Sequence, residues 1–193
     1  MQQFYLRHEW KRSLSVSVGA TVEICGKSVV VDFGVREAES CFCQKKELDG
    51  ESVCEDSCVE VFLRMLDKSN AYANFEFNSK GVCYAERGND RKNRKQISKE
   101  EYAQIIRKPS GVTMDNNFYR WNLSVEIPFA LLGADKSLNV FQLDGNLYKC
   151  ADLAAEPHWL SAFPIKTPKP DFHRPEFFCC LNMDPGIFLN SST

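Results

Sequence analysis

Four polar side chains, Glu60, Asn74, Glu76 and Asn78, recur at a spacing that lets them act together. Carboxylates and amides of this kind bond vicinal hydroxyls, and a pair of carboxylates is also the working equipment of a glycosidase. Two segments of period-two alternation would bring them to one face. In residues 58–64, CVEVFLR, the side chains of Val59, Val61 and Leu63 point one way, and Glu60 and Arg64 the other. In residues 71–78, AYANFEFN, Ala73, Phe75 and Phe77 share one face, while Asn74, Glu76 and Asn78 share the opposite one. Alternation built on β-branched and aromatic residues predicts half-buried strands. Ser79-Lys80-Gly81 supplies a tight turn into residues 82–86, which makes the last two strands a hairpin. If the first two strands adjoin, Glu60 and Glu76 face each other about 5 Å apart, close to the separation that retaining glycosidases use. The same pattern describes the solvated face of any antiparallel sheet, so it marks a polar face and not yet an activity.

A sugar ring asks for polar groups around its hydroxyls and an aromatic plane against its C–H bonds. Arg87 at the hairpin's end, Asn146 after a turn glycine, Tyr148 and Trp159 extend the polar face into such a set. The candidate ligand-binding residues are therefore Glu60, Asn74, Glu76, Arg87, Asn146, Tyr148 and Trp159, with no catalytic residue assigned.

The elements that must position these groups are mostly short strands. Before residue 25 the pattern predicts strands at 4–7, 14–18 and 21–24, and Gly26-Lys27 turns into a strong strand at 28–36, suited to the centre of a sheet. Residues 37–46 are expected to continue as an edge strand, with a loop at 47–52. The basic run at 88–95 is expected to be a solvated loop, since no aromatics interleave its charges to stack bases. Ser98 and Glu101 form a capping box that predicts a helix over 99–106. A strand at 112–114, a turn at 115–117 and a cleanly alternating strand at 119–127 follow, and Pro128 starts one helical turn closed by Gly133. Residues 141–152 hold another strand, the Pro-rich and aromatic tail is loop-like, and residues 177–183 make a final strand. Many short strands with one or two short helices predict an all-β fold, an antiparallel immunoglobulin-like or jelly-roll sandwich. With no repeat and no linker, residues 1–193 are expected to be a single domain.

Composition narrows the function classes. Hydrophobic content of 44%, charge of 26% and a formal net charge of −2 give no basic excess for nucleic acid or an anionic membrane. No apolar run reaches the ~20 residues of a membrane helix. The N-terminus lacks signal-peptide order, so a cytoplasmic location is expected if Met1 is the native start, and a secreted or periplasmic one if a leader has been removed. No nucleophile elbow, Walker loop, dinucleotide fingerprint or H-E-x-x-H is present. His8, His158 and His173 are far apart in sequence and read as structural. Nine cysteines, an odd number, argue against a full disulfide framework. Neither Cys41-x-Cys43 nor Cys54-x3-Cys58 has the C-x2-C spacing of a zinc knuckle, so most cysteines are expected to be reduced, small buried hydrophobes.

Ordered matches carry a family resemblance. The run Glu55-Asp-Ser-Cys-Val-Glu-Val-Phe62, then Asn74-Phe-Glu-Phe-Asn78 with Gly81, resembles the family 9 carbohydrate-binding modules and their stand-alone relatives. Trp121 through Ile127-Pro128-Phe129, Gly145-Asn146-Leu-Tyr148-Lys149-Cys150, Pro157-His158-Trp-Leu-Ser161 and Pro170-Asp-Phe-His173-Arg-Pro-Glu-Phe-Phe178 follow in the same order. The resemblance spans about residues 28–183 and implies a β-sandwich that binds the ends of plant-type glycans, with structural calcium in many of its modules. It matches Glu60 to a ligand-binding Glu, Asn146 to an Asn that bonds sugar hydroxyls, and Arg87 to a ligand Arg. Two aromatic positions depart from it. Cys54 stands where family members carry a Trp, one wall of an aromatic clamp, and Ala162 stands where stand-alone relatives carry another. The clamp is then lost, moved to Tyr148 or Trp159, or replaced. The resulting expectation is non-catalytic binding of a saccharide, with no cofactor assigned from the residues and calcium the one the resemblance suggests. The alternatives are a glycoside-active enzyme using Glu60 and Glu76, or a sandwich that binds a protein partner or haem.

Overall fold

The computed structural model describes residues 1–11, 15–67, 69–134, 139–140 and 142–182. Their strands are β1 (Gln2–Tyr5), β2 (Arg7–His8), β3 (Val16–Cys25), β4 (Ser28–Ala38), β5 (Cys58–Arg64), β6 (Tyr72–Asn78), β7 (Cys83–Gly88) and β8 (Arg94–Gln96). After the short helix α1 (Lys99–Tyr102) come β9 (Ile106–Pro109), β10 (Thr113–Asp115), β11 (Phe118–Pro128), β12 (Asp144–Cys150), β13 (Trp159–Ser161) and β14 (Cys179–Cys180). They form two antiparallel sheets packed as a sandwich. The first runs β1-β3-β4-β11-β10, with β9 also pairing β11; the second runs β2-β13-β12-β5-β6-β7-β8, with β14 on β12. No helix among the described residues is long and apolar enough to cross a membrane.

Period-two alternation builds the interior. Val29, Val31, Phe33 and Val35 of β4 and Trp121, Leu123, Val125 and Ile127 of β11 meet Val59, Val61, Leu63, Phe75 and Phe77 of β5 and β6 in one buried cluster. The β3–β4 hairpin pairs Cys25 with Ser28 and leaves a two-residue loop, in which Gly26 takes the positive φ that such turns need. Asn116 and Asn117, with φ of 49° and 65°, close the β10–β11 hairpin in the same way.

Tertiary contacts redraw several expected boundaries. The pieces at 14–18 and 21–24 are parts of the single strand β3, because β4 pairs along its whole length (Leu14 lies outside the described residues). Of residues 37–46, only Glu37 and Ala38 continue the strand, and 39–46 do not form an edge strand. A 3-10 turn at Glu39–Cys41 bends the chain away, and the carboxylate of buried Asp56 then takes the N–H groups of Lys45 and Lys46 at 2.9 and 2.8 Å. The Ser98 capping box forms as expected, with Oγ accepting from Glu101 N and Glu101 Oε2 accepting from Ser98 N. The helix it opens stops at Tyr102 rather than Ile106, since residues 106–109 pair with β11. The final strand shrinks to Cys179–Cys180, Met183 lying outside the described residues.

A second, smaller apolar cluster covers the outer face of the second sheet. Phe62, Tyr72 and Tyr148 point outward there, and the C-terminal segment lies across them, bringing Ile165 and Phe172 into contact. Phe172 stacks on Tyr148 at 4.2 Å between centroids and accepts a hydrogen bond from its hydroxyl at its carbonyl oxygen. Trp10, from the N-terminal region, packs on Phe172 and donates to Thr167 O. Both faces of β5 and β6 are therefore buried, and the outer face is not the solvated surface that alternation alone allowed.

Candidate ligand-binding site

Residues of β5, β6 and β12 that face outward, together with the tail that crosses them, enclose a cleft of about 110 Å³. It is lined by Glu60 and Glu76, by Cys54 and Cys150, by Asp152 and Trp159, and by the tail's Asp171 and His173. Glu60 and Glu76 are register partners across β5 and β6 and point to the same side, each less than a tenth exposed. Glu60 accepts a 3.0 Å contact from the Cys150 thiol, and Glu76 accepts from Asn74 Nδ2 at 2.9 Å. Neither carboxylate forms an ion pair among the described residues; the nearby Arg94 is instead engaged by Glu86 at 2.8 Å and donates to Asn74 Oδ1. Burial pushes the Glu60 carboxyl well above its usual range, and the neighbouring Glu76 pushes it further. Burial raises Glu76 to about 7, against the hydrogen bond from Asn74 and the charge of Arg94. The pair therefore holds a proton near neutral pH and offers both donor and acceptor oxygens to a ligand.

The walls are held from several directions. Trp159, half-buried, is fixed by its indole N–H donating to Asp152 at 2.9 Å. His173 accepts at Nδ1 from Arg94 and from the Tyr72 hydroxyl, at 2.8 and 3.0 Å. Burial, then the charge of Arg94, lowers its pKa to about 3, so the ring is neutral and this nitrogen is an acceptor. Arg91 from the basic loop pairs with Asp171 at 3.1 Å at the rim. Cys54 sits in a 3-10 turn at Val53–Glu55 that is tied to the end of β12, where Asp152 N donates to Cys54 O.

The seven sequence candidates separate on this face. Glu60, Glu76 and Trp159 line the cleft, and Asn74 lies beneath it as a partner of Glu76. Asn146 and Tyr148 share that face but are spent on the tail: Asn146 bonds the backbone of Phe163 through both side-chain polar atoms, and Tyr148 lies under Phe172. Arg87 points to the other side of the sheet, because it pairs with Ala73 and alternates with Glu86; it forms an ion pair with Glu101 at 2.6 Å. Arg91, Cys150, Asp152, Asp171 and His173 were not among the candidates. Cys150 and Asp152 continue the alternation from Tyr148, a signal that was available. Arg91 lies in a run whose sequence predicts a solvated loop, and no local pattern places Asp171 and His173 over β5.

A profile of carbohydrate-binding family 9 matches residues 9–183. The chain belongs to that family. No curated protein sequence matches the chain. Among solved structures, it is similar to the crystal structure of a proposed carbohydrate-binding protein from Bacteroides uniformis ATCC 8492. The two are 27% identical, with a TM-score of 0.79, over 92% of this chain and 84% of that one.

The calcium expected from the family requires about six to eight oxygen ligands. The acidic, His and Cys donors that converge among the described residues are Cys58, Glu60 and Cys150, a sulfur-rich set unsuited to calcium. The Asp56 carboxylate is already occupied by backbone N–H groups and by Asn78 Nδ2.

Proposed function

We propose that this family 9 protein binds the terminal ring of a saccharide in the cleft on the outer face of its second sheet, without transforming it. The observation that carries the reading is the Glu60–Glu76 pair, buried without an ion pair among the described residues and open to a cleft walled by an indole. Each carboxyl has one protein contact, from Cys150 or Asn74, and keeps further bonding capacity that the hydroxyls of a sugar can use. Trp159 offers the aromatic plane for ring C–H bonds. A cavity of about 150 Å³ holds a benzene-sized ring. At about 110 Å³ the cleft is too small to enclose a whole sugar ring, so it would hold one edge of a terminal ring that stays exposed at its rim. With Cys54 in place of a second aromatic wall, the affinity is modest, on the order of millimolar.

Calorimetry of the wild type and of Glu60→Ala against mono- and oligosaccharides tests this. The expected loss is about threefold to tenfold, corresponding to a neutral hydrogen bond of about 0.5–1.5 kcal/mol. Equal binding by both proteins would move the site elsewhere, and no binding across a broad glycan array would remove the saccharide reading. One observation favours a second reading. Two neighbouring buried carboxyls, both raised in pKa, resemble the carboxyl pair of a glycosidase. Release of product from aryl glycosides, lost in Glu60→Gln and Glu76→Gln, would select it.

A further inference from the structure

Cys58 and Cys150 are direct register partners across β5 and β12, and Glu60 stands two residues from Cys58 on the same outward face. The sheet thus places two thiols and a carboxylate at the corners of one triangle. Their Sγ and Oε atoms all lie within 4.8 Å of one another, and the Cys150 Sγ to Glu60 Oε1 distance is 3.0 Å. All three side chains are buried, while Cys150 and Glu60 also line the cleft. We propose that Cys58, Cys150 and Glu60 bind a thiophilic divalent cation of the zinc class at the floor of the cleft, with the fourth coordination position open toward it.

The geometry asks for little movement. Zinc bonds of about 2.3 Å to sulfur and 2.0–2.2 Å to oxygen put tetrahedral ligands roughly 3.5–3.8 Å apart, within reach of side-chain rotation alone. Three protein ligands and an open position are the arrangement of reactive zinc sites rather than closed structural ones. The donor set selects the metal: two sulfurs suit zinc and disfavour calcium or magnesium. Loading exchanges up to three protons, from the two thiols and the carboxyl, for one dication. It leaves two thiolates and a carboxylate with a net charge of −1 around the metal. This explains why three acidic groups are gathered out of water on one face, which the saccharide reading alone does not.

The test is titration of the reduced, chelator-treated full chain with cobalt(II) in the absence of sugar, so its failure leaves the saccharide reading standing and the reverse also holds. One equivalent is expected to produce visible d–d and thiolate charge-transfer bands that zinc(II) bleaches. Glu60→Gln, close in shape, should weaken cobalt binding at least about tenfold. Cys58→Ser/Cys150→Ser should abolish the charge-transfer band, and Cys25→Ser/Cys179→Ser, at two exposed thiols, should keep it. Circular dichroism confirms folding of each variant, and Glu60→Gln decides the matter if the Cys58→Ser/Cys150→Ser protein does not fold. Absence of the bands in the wild type overturns the proposal. So does their survival unchanged in Glu60→Gln, or recovery of a metal-free protein with Cys58 and Cys150 joined as a disulfide.

Discussion

Glu37 and Glu60 are both carboxylates removed from water, one between the two sheets and one on the outer face of the second, and the chain treats them in opposite ways. Glu37 is neutralised by pairing. Lys149 Nζ lies 2.9 Å from Glu37 Oε2 with both side chains fully buried, and Trp121 donates its indole N–H to Glu37 Oε1 at 2.7 Å. Lys149 also donates to Cys150 O and to His158 Nε2, each at 2.9 Å. Burial and the neighbouring Lys149 lower His158 to about 2, which keeps its Nε2 an acceptor while Nδ1 bonds Glu156 O. Glu37, Lys149 and His158 all have partners within that centre. Glu60 and Glu76 form no ion pair among the described residues, Arg94 being engaged by Glu86, and burial favours their protonated forms instead. A paired carboxylate serves the fold, whereas one that borders a cleft and holds a proton retains bonding capacity for a ligand.

The largest test breaks the structural half of this contrast. Lys149→Met keeps the volume and removes the charge, leaving Glu37 buried alone, and should cost about 3–5 kcal/mol in urea unfolding. A loss under about 1 kcal/mol would mean that Lys149 is not what neutralises Glu37.

The next test sharpens the other half through pH. The folded-state pKa of Glu76, about 7, lies above its ordinary 4.5, so folding favours the protonated acid. That contribution is full below pH 4.5 and is lost as pH rises through 7. Glu76→Gln cannot ionise, so its stability relative to wild type should improve by on the order of 3 kcal/mol across that window. His158 and His173, whose pKa values are lowered, act with the opposite sign and lose stability as pH falls through 6.5. They are present in both proteins, so the difference between the two unfolding curves reports the Glu60–Glu76 pair, Glu60 being relieved of its neighbour's charge in the variant. A pH-independent difference would show that the pair is not protonated in the fold.

The smallest effect belongs to the wrong side of the sheet. Arg87→Ala should leave saccharide affinity unchanged and cost no more than about 1 kcal/mol, the scale of a part-exposed pair such as Arg87–Glu101. A tenfold loss of binding in calorimetry would place Arg87 in the site despite its orientation.

The sequence by itself determined what alternation and turn chemistry can encode. Strands β5, β6 and β11, the inward set Val59, Val61, Phe75 and Phe77, the outward set Glu60, Asn74 and Glu76, and the Ser98 cap all follow from residues close together in the chain. The same alternation held the orientation of Arg87 opposite Glu86, although proximity to the hairpin suggested otherwise. The tertiary structure decided everything that depends on a distant partner. The helix after Ser98 ends early because β11 captures residues 106–109. Lys149 lies inside because Glu37 arrives from the other sheet. Asp171 and His173 join Glu60 because the tail lies down on Phe62, Tyr72 and Tyr148. Period and propensity are set by neighbours along the chain, but a cleft is a coincidence of segments far apart in it, and only packing fixes which ones meet.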